Sequence, residues 1–236
     1  MTLPFLQPGS DVLSTADILA VAVIFIAWLA VGHVVEKPPA RHPSVSALMK
    51  IYRREWMVTF LTRQPRIFDA TIVDSLRQGT AFFASATMLA IGGILAMLGN
   101  PTAIEGIAQD LKALPHDPLV WKLRLLPVLF FVVDAFLNFV WSHRLFGYCA
   151  IVMAAVPNDA ADPLAETRAR QAGEINIHAA KNFNRGLRSV YFGIGALGWL
   201  VSPLALAIGT ALVLWMTLRR EFWSQSRRIL MADTPK

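Results

Sequence analysis

An all-α integral membrane protein is the fold class this sequence predicts: a four-helix bundle with amphipathic interfacial helices in its cytoplasmic loops. Three observations predict it. Of 236 residues, 55% are hydrophobic and only 16% are charged, with a mean hydropathy of +0.49, which is too apolar for a soluble domain of this length. Four runs, at 18–35, 81–98, 125–141 and 190–218, come close to or exceed the roughly 18 apolar residues that cross about 30 Å of hydrocarbon as a helix. The basic residues behind the formal net charge of +6 flank these runs instead of lining one soluble face, which argues against a nucleic-acid partner and for anionic lipid headgroups. The whole chain, 1–236, reads as one membrane domain. Its single cysteine, Cys149, rules out an intramolecular disulfide and any multi-cysteine metal site, so packing alone must hold the bundle.

Taken in order, the first 17 residues carry Asp11 and Asp17 and no Lys or Arg, so they lack the basic start of a cleaved signal and the run 18–35 is expected to stay as a span. His33 and Glu36 close it, and Pro38, Pro39 and Pro43 turn the chain. The loop 36–78 then supplies Lys37, Arg41, Lys50, Arg53, Arg54, Arg63, Arg66 and Arg77 against Glu36, Glu55, Asp69 and Asp74. Its positive charge makes it cytoplasmic, which sets the N-terminus outside. Ser44 is an N-cap for a helix to about Thr62, with Val45, Leu48, Met49, Tyr52 and Trp56 on one side and Lys50, Arg53 and Arg54 opposite. Pro65 breaks it, and a new helix from near Arg66 runs into the second span. That span is rich in small residues: Ala86 and Ala90, and Gly92 and Ala96, are spaced four apart, as close helix contacts in membranes require.

The stretch 100–118 is acidic and suits the outer side. The third span holds Asp134 and Asn138 at mid-depth and extends toward Val156. The loop 157–188, with Arg168, Arg170, Lys181, Arg185 and Arg188, is cytoplasmic and helical from Pro163 to Lys181. The last apolar run is about 29 residues, roughly 43 Å of helix at 1.5 Å per residue. It either tilts or breaks near Ser202-Pro203. A simple fourth crossing is the expectation, although it leaves the tail 219–236, with Arg219, Arg220, Arg227, Arg228 and Lys236, outside against the charge rule. A hairpin at Pro203 would return the tail inside, on limbs of only about 13 to 15 residues, short for spanning.

Four motifs carry a family resemblance: Arg53-Arg54-Glu55-Trp56-Met57, Arg66-Ile67-Phe68-Asp69, Phe82-Phe83-Ala84-Ser85, and Asn182-Phe183-Asn184-Arg185-Gly186-Leu187-Arg188-Ser189-Val190-Tyr191-Phe192. Together they make the chain resemble the bacterial membrane proteins grouped as domain of unknown function five hundred and ninety-nine, from about the first span to the C-terminal arginines. The resemblance implies a four-span inner-membrane protein and brings no catalytic residues with it.

Among residues that could carry chemistry, Asp134 stands first, because an ionisable group at mid-span costs several kcal/mol unless paired, protonated or hydrated. Asn138 and Trp141 follow on the same face, and Ser85 on the second span is grouped with Asp134 and Asn138 as pathway or intrabundle polar residues. The alternative for Asp134 is a hydrogen-bond lock between helices. Arg53, Arg54, Glu55, Arg66 and Asp69, with Asn182, Asn184, Arg185 and Arg188, form an inner mouth or a lipid-phosphate site, or else a solvated interfacial face. Axial haem ligation by His33 and His143 is a distant third reading, since both sit at span ends beside charges. No nucleophile motif, phosphate-cradling loop or paired metal-ligand spacing appears, so neither an enzyme nor a cofactor is expected. Gly198 with Ser202, and Ala205 with Gly209, give the fourth span a close-contact face as well; with two such spans, one serves the bundle and the other a neighbouring copy, which predicts a homo-oligomer. The expected function is therefore a small homo-oligomeric channel or simple transporter. The alternative is a non-catalytic scaffold subunit of another membrane complex.

Overall fold

The computed structural model describes residues 13–100 and 118–232, which form helices joined by short turns. The acidic stretch expected between the second and third spans lies largely outside the described residues. Helix α1 (Thr15–Glu36) starts at a capping box: Ser14 Oγ accepts the Asp17 N–H at 3.2 Å, and the Asp17 carboxylate accepts the Ser14 N–H at 3.0 Å. Ser44 caps α2 (Val45–Thr62), accepting the Ala47 N–H at 3.1 Å while its hydroxyl donates to the Val35 carbonyl at 2.8 Å, so one residue both starts α2 and ties it to the end of α1. α2 buries Leu48, Met57 and Phe60. Arg53 corrects the sequence expectation, which set it opposite the apolar face with Arg54: it turns inward and donates to Asn176.

After Pro65 comes α3 (Ile67–Gly99). Its first turn is fixed by Asp69, fully buried, which accepts from the Trp56 indole at 2.6 Å and from Arg63. Asp69, Val73, Thr80 and Thr87 of α3 are buried and Phe83 stacks on Phe139 at 5.3 Å, while Phe82, Met88, Leu89 and Leu95 face outward.

Helices α4 (Pro118–Ala154) and α5 (Pro163–Ala196) form the antiparallel centre of the molecule. Cys149 Sγ reaches the Ala172 carbonyl at 3.4 Å, Ser142 Oγ donates to the Ala179 carbonyl at 2.7 Å, and the Phe131 and Phe192 rings lie 5.9 Å apart. Gly186 makes this approach feasible, since a Cβ there would sit 2.7 Å from the Phe139 ring. In lipid such shape fit must hold helices together, because burial brings no hydrophobic gain. Asp162 caps α5 from outside, accepting the Leu164 N–H at 2.8 Å, and Pro163 occupies its first position.

The expected single crossing over 190–218 is corrected. α5 ends at Ala196, a 3-10 turn spans Leu197–Leu200, and α6 (Pro203–Phe222) begins with Pro203 in its first turn, capped by Ser202. Pro203 has no N–H to continue the preceding helix, so the chain turns there. The two limbs touch backbone to backbone: a Cβ on Gly198 would meet the Ala205 carbonyl oxygen at 2.6 Å, and one on Gly209 the Gly195 carbonyl oxygen at 2.8 Å. The objection that a limb would be too short fails because α5 is 34 residues long, and its charged first half hid it from an apolar-run reading.

α6 therefore runs alongside α1 in the same direction. Glu221 near its end accepts from the Ser46 N–H at 2.9 Å and hydroxyl at 2.8 Å. Arg227 in α7 (Gln225–Ala232) donates to the Pro43 carbonyl at 2.8 Å. The tail thus shares its end of the bundle with the first loop, opposite to what a simple fourth crossing requires. Among the described residues, four stretches are long and apolar enough to cross a membrane: Thr15–Glu36, Ile67–Gly99, Leu119–Ala154 and Pro203–Ala232.

Candidate functional site: two bays around a clamped carboxylate

The two ends of the bundle carry different ionic centres. Near the start of α1, Asp17 is 5% exposed and accepts from the Ser14 hydroxyl at 2.6 Å and the Trp199 indole at 2.6 Å, with Arg124 Nη2 at 3.4 Å. At the other end Glu36 meets three cations from successive turns of α5. Arg185 takes its carboxylate with two bonds of 2.7 Å, Arg188 donates at 2.6 Å, and Lys181 Nζ lies at 3.1 Å. Positions 181, 185 and 188 share one helical face, so one carboxylate on α1 gathers all three.

A bay of about 560 Å³ opens on one side of this cluster, with Lys37, Lys181, Arg185 and Arg188 as its cations and Glu36 and Asp134 as its carboxylates. Asp134 accepts from Ser189 Oγ at 2.5 Å and from Asn138 Nδ2 at 3.0 Å, and the Trp28 indole donates to Ser189 Oγ at 3.2 Å. Ser189 Oγ thus serves in both roles: it accepts from the Trp28 indole and donates to Asp134. Beyond Trp28, toward the Asp17 end, Phe25, Phe130 and Phe131 pack ring on ring at 5.1 to 5.4 Å.

A second bay, about 410 Å³, lies on the other side of the cluster beneath α2 and shares Glu36, Lys181 and Arg188 with the first. Lys50, Arg53 and Asn184 line it.

The candidates from sequence are therefore divided. Asp134, Asn138, Arg185 and Arg188 meet in the first bay, and Arg53 and Asn184 in the second. Arg54 instead pairs with Glu174 at 2.7 Å on the surface, where the guanidinium holds the Glu174 carboxyl below the usual glutamate range. Glu55 is exposed. Arg66 donates to the Val156 and Pro157 carbonyls at 2.9 Å each, clamping a turn, and Asp69 is occupied at the α2–α3 junction. Asn182 bonds back to the His178 carbonyl in its own helix at 2.8 Å. Ser85 and Trp141 are exposed, so neither joins Asp134. His33 lines the first bay, while His143 Nδ1 lies 3.3 Å from both the Thr80 hydroxyl and the Arg77 carbonyl.

Sequence reasoning passed over Glu36, Lys181, Ser189 and Trp28. Glu36 looked like a helix stop before two prolines, yet an acid at the end of an apolar span, facing a loop rich in cations, was the available signal.

A helical bundle with four stretches able to cross a membrane and a carboxylate clamped by three cations between two bays is the class that fold and site define. The chain belongs to the family described as protein of unknown function, DUF599, whose model matches residues 19–226 and so takes in the whole Glu36 cluster and Asp134. No curated protein and no solved structure matches it.

Proposed function

We propose that this protein is a bacterial inner-membrane transporter of small anionic solutes, loaded from the Glu36 end, with Asp134 as the ionisable group at the floor of the larger bay. The observation that carries this reading is the bay itself: four cations against two carboxylates leave a surplus of positive charge, which draws anions in and stabilises them away from bulk water. The aromatic layer beyond Trp28 favours a gated carrier over a permanently open pore. Asp134 sits within reach of a solute held by Arg185 and Arg188, and is suited to couple a proton to its passage.

Orientation follows from charge. Lys37, Arg41, Lys50, Arg219, Arg220, Arg227 and Arg228 all belong to the Glu36 end, which supports a cytoplasmic location for that end and an outside N-terminus. The second half of α5 then counts as a fifth crossing beside the four apolar ones. The outward face of α3, where Cβ atoms on Gly92 and Gly93 would meet nothing within 4 Å, supports a homo-oligomer built through that helix.

The test is flux of labelled phosphate and small carboxylates into liposomes containing the purified protein, compared with Asp134→Asn and Arg185→Gln. Uptake in the parent that both variants lose supports the reading. A parent that moves none of these anions leaves the scaffold alternative, which predicts instead a partner subunit held in fixed ratio through detergent purification.

A further inference from the structure

We infer that the second bay is a binding site for one anionic phospholipid, entered sideways from the bilayer between α2 and α3. Its walls combine two chemistries that a site for a soluble anion does not need together. Met49, Leu76, Phe146, Ile177 and Phe183 give it apolar sides, and Lys50, Arg53, Lys181 and Arg188 stand against Glu36 and Glu221, a surplus of two positive charges. Glu221 is already occupied by Ser46, and Glu36 by the α5 cations. Lys50 is the free member. Among the described residues it meets no carboxylate within ion-pair distance, and its ammonium reaches only the Glu36 carbonyl, at 3.5 Å. A phosphodiester supplies the missing acceptor, and the apolar walls take the start of an acyl chain.

The way in is lateral. α2 and α3 are joined at the Pro65 turn, where Asp69 holds Trp56 and Arg63, but away from it α2 packs on α5 and hardly touches α3. Ser75, Leu76, Gly79 and Thr80 of α3 therefore form an open lip. That lip stands immediately before the apolar stretch beginning at Ala81, the level at which phosphates meet hydrocarbon. Gly79 is half-buried, and a Cβ built on it meets nothing within 4 Å, so the lip has room for a chain to pass. Phe82, 69% exposed, continues the same route outward along α3.

The site lies across the Glu36 cluster from the transport bay and does not depend on transport; a protein that moves no anion and still holds the lipid leaves this inference standing. The experiment is native mass spectrometry and thermal unfolding of the full chain in mild detergent. The probes are phosphatidylglycerol, phosphatidylcholine with the same acyl chains, and glycerol phosphate. Phosphatidylglycerol is expected to bind at one per chain and raise the unfolding midpoint above the value in phosphatidylcholine, with no effect of glycerol phosphate. Lys50→Gln should weaken phosphatidylglycerol binding about fivefold, the worth of roughly one basic residue at an anionic surface. Gly79→Trp fills the lip without a backbone clash and should abolish the one-per-chain adduct while leaving the midpoint in phosphatidylcholine unchanged. Equal binding of phosphatidylcholine, an equal effect of glycerol phosphate, or full binding by Gly79→Trp would each overturn the proposal.

Discussion

At one end of the bundle Asp17 takes a serine, an indole and a single arginine; at the other, Glu36 takes three cations and borders two bays. Arg124 is 6% exposed, and among the described residues its Nε and Nη1 have no partner and Asp17 is the carboxylate that its charge meets. Arg185, by contrast, is exposed on the bay side. The difference teaches what each carboxylate is for. A sparing match of charges in a dry place holds helices in register, while an oversupply of one sign beside empty space leaves field for a ligand.

The largest expected effect tests the lock. Asp17→Ala strands the Arg124 guanidinium and should cost about 3 to 5 kcal/mol, read as a lowered unfolding midpoint in detergent. Adding Arg124→Met should recover most of it. Next comes Gly198→Val, whose Cβ would press on the Ala205 carbonyl at 2.6 Å; opening the turn beside Trp199 should cost roughly 1 to 3 kcal/mol in the same assay.

Glu36→Gln should cost less than Asp17→Ala, about 1 to 2 kcal/mol, because two of the three freed cations, Lys181 and Arg185, are open to water. It should also tighten anion binding measured by calorimetry while slowing flux. A stability loss as large as that of Asp17→Ala, with no change in anion affinity, would erase the distinction between the ends.

The smallest effect belongs to the surface pair of Arg54 and Glu174. Glu174 is depressed in the folded state, so its contribution is fully present above the ordinary glutamate value of 4.5 and is lost as pH falls through the folded value. With the side chains 58% and 44% exposed, screening leaves only a few tenths of a kcal/mol. Arg54→Ala should therefore lower stability by only about a few tenths of a kcal/mol at pH 7, flatten the acid limb of the stability curve slightly, and change nothing below the folded value of Glu174.

Local signals in the chain were sufficient for local structure. Ser44 and Pro163 announced the helices they start, Pro65 the break it makes, and Asp134 its place beside Asn138. What stayed hidden depended on pairing across the chain. α5 reads as a charged loop because Arg185 and Arg188 are counted at full cost, and they are neutralised by Glu36, 149 residues from Arg185. Likewise Gly195 and Gly209 look like one small-residue face of a single helix until the turn at Leu197–Leu200 sets them against each other.

That turn carries a consequence for biosynthesis. On the proposed topology the second half of α5 is a poor candidate for a translocon by itself, because Arg185 and Arg188 stand at the start of its apolar part. On that topology α1, made first, would leave Glu36 in place to receive them, and α6, emerging last, would complete the hairpin with α5. Synthesis is thus arranged so that an early acid is matched by a late pair of bases. A ribosome stalled before Pro203 would expose a chain with α5 still on the cytoplasmic face, and release of the stall would commit it.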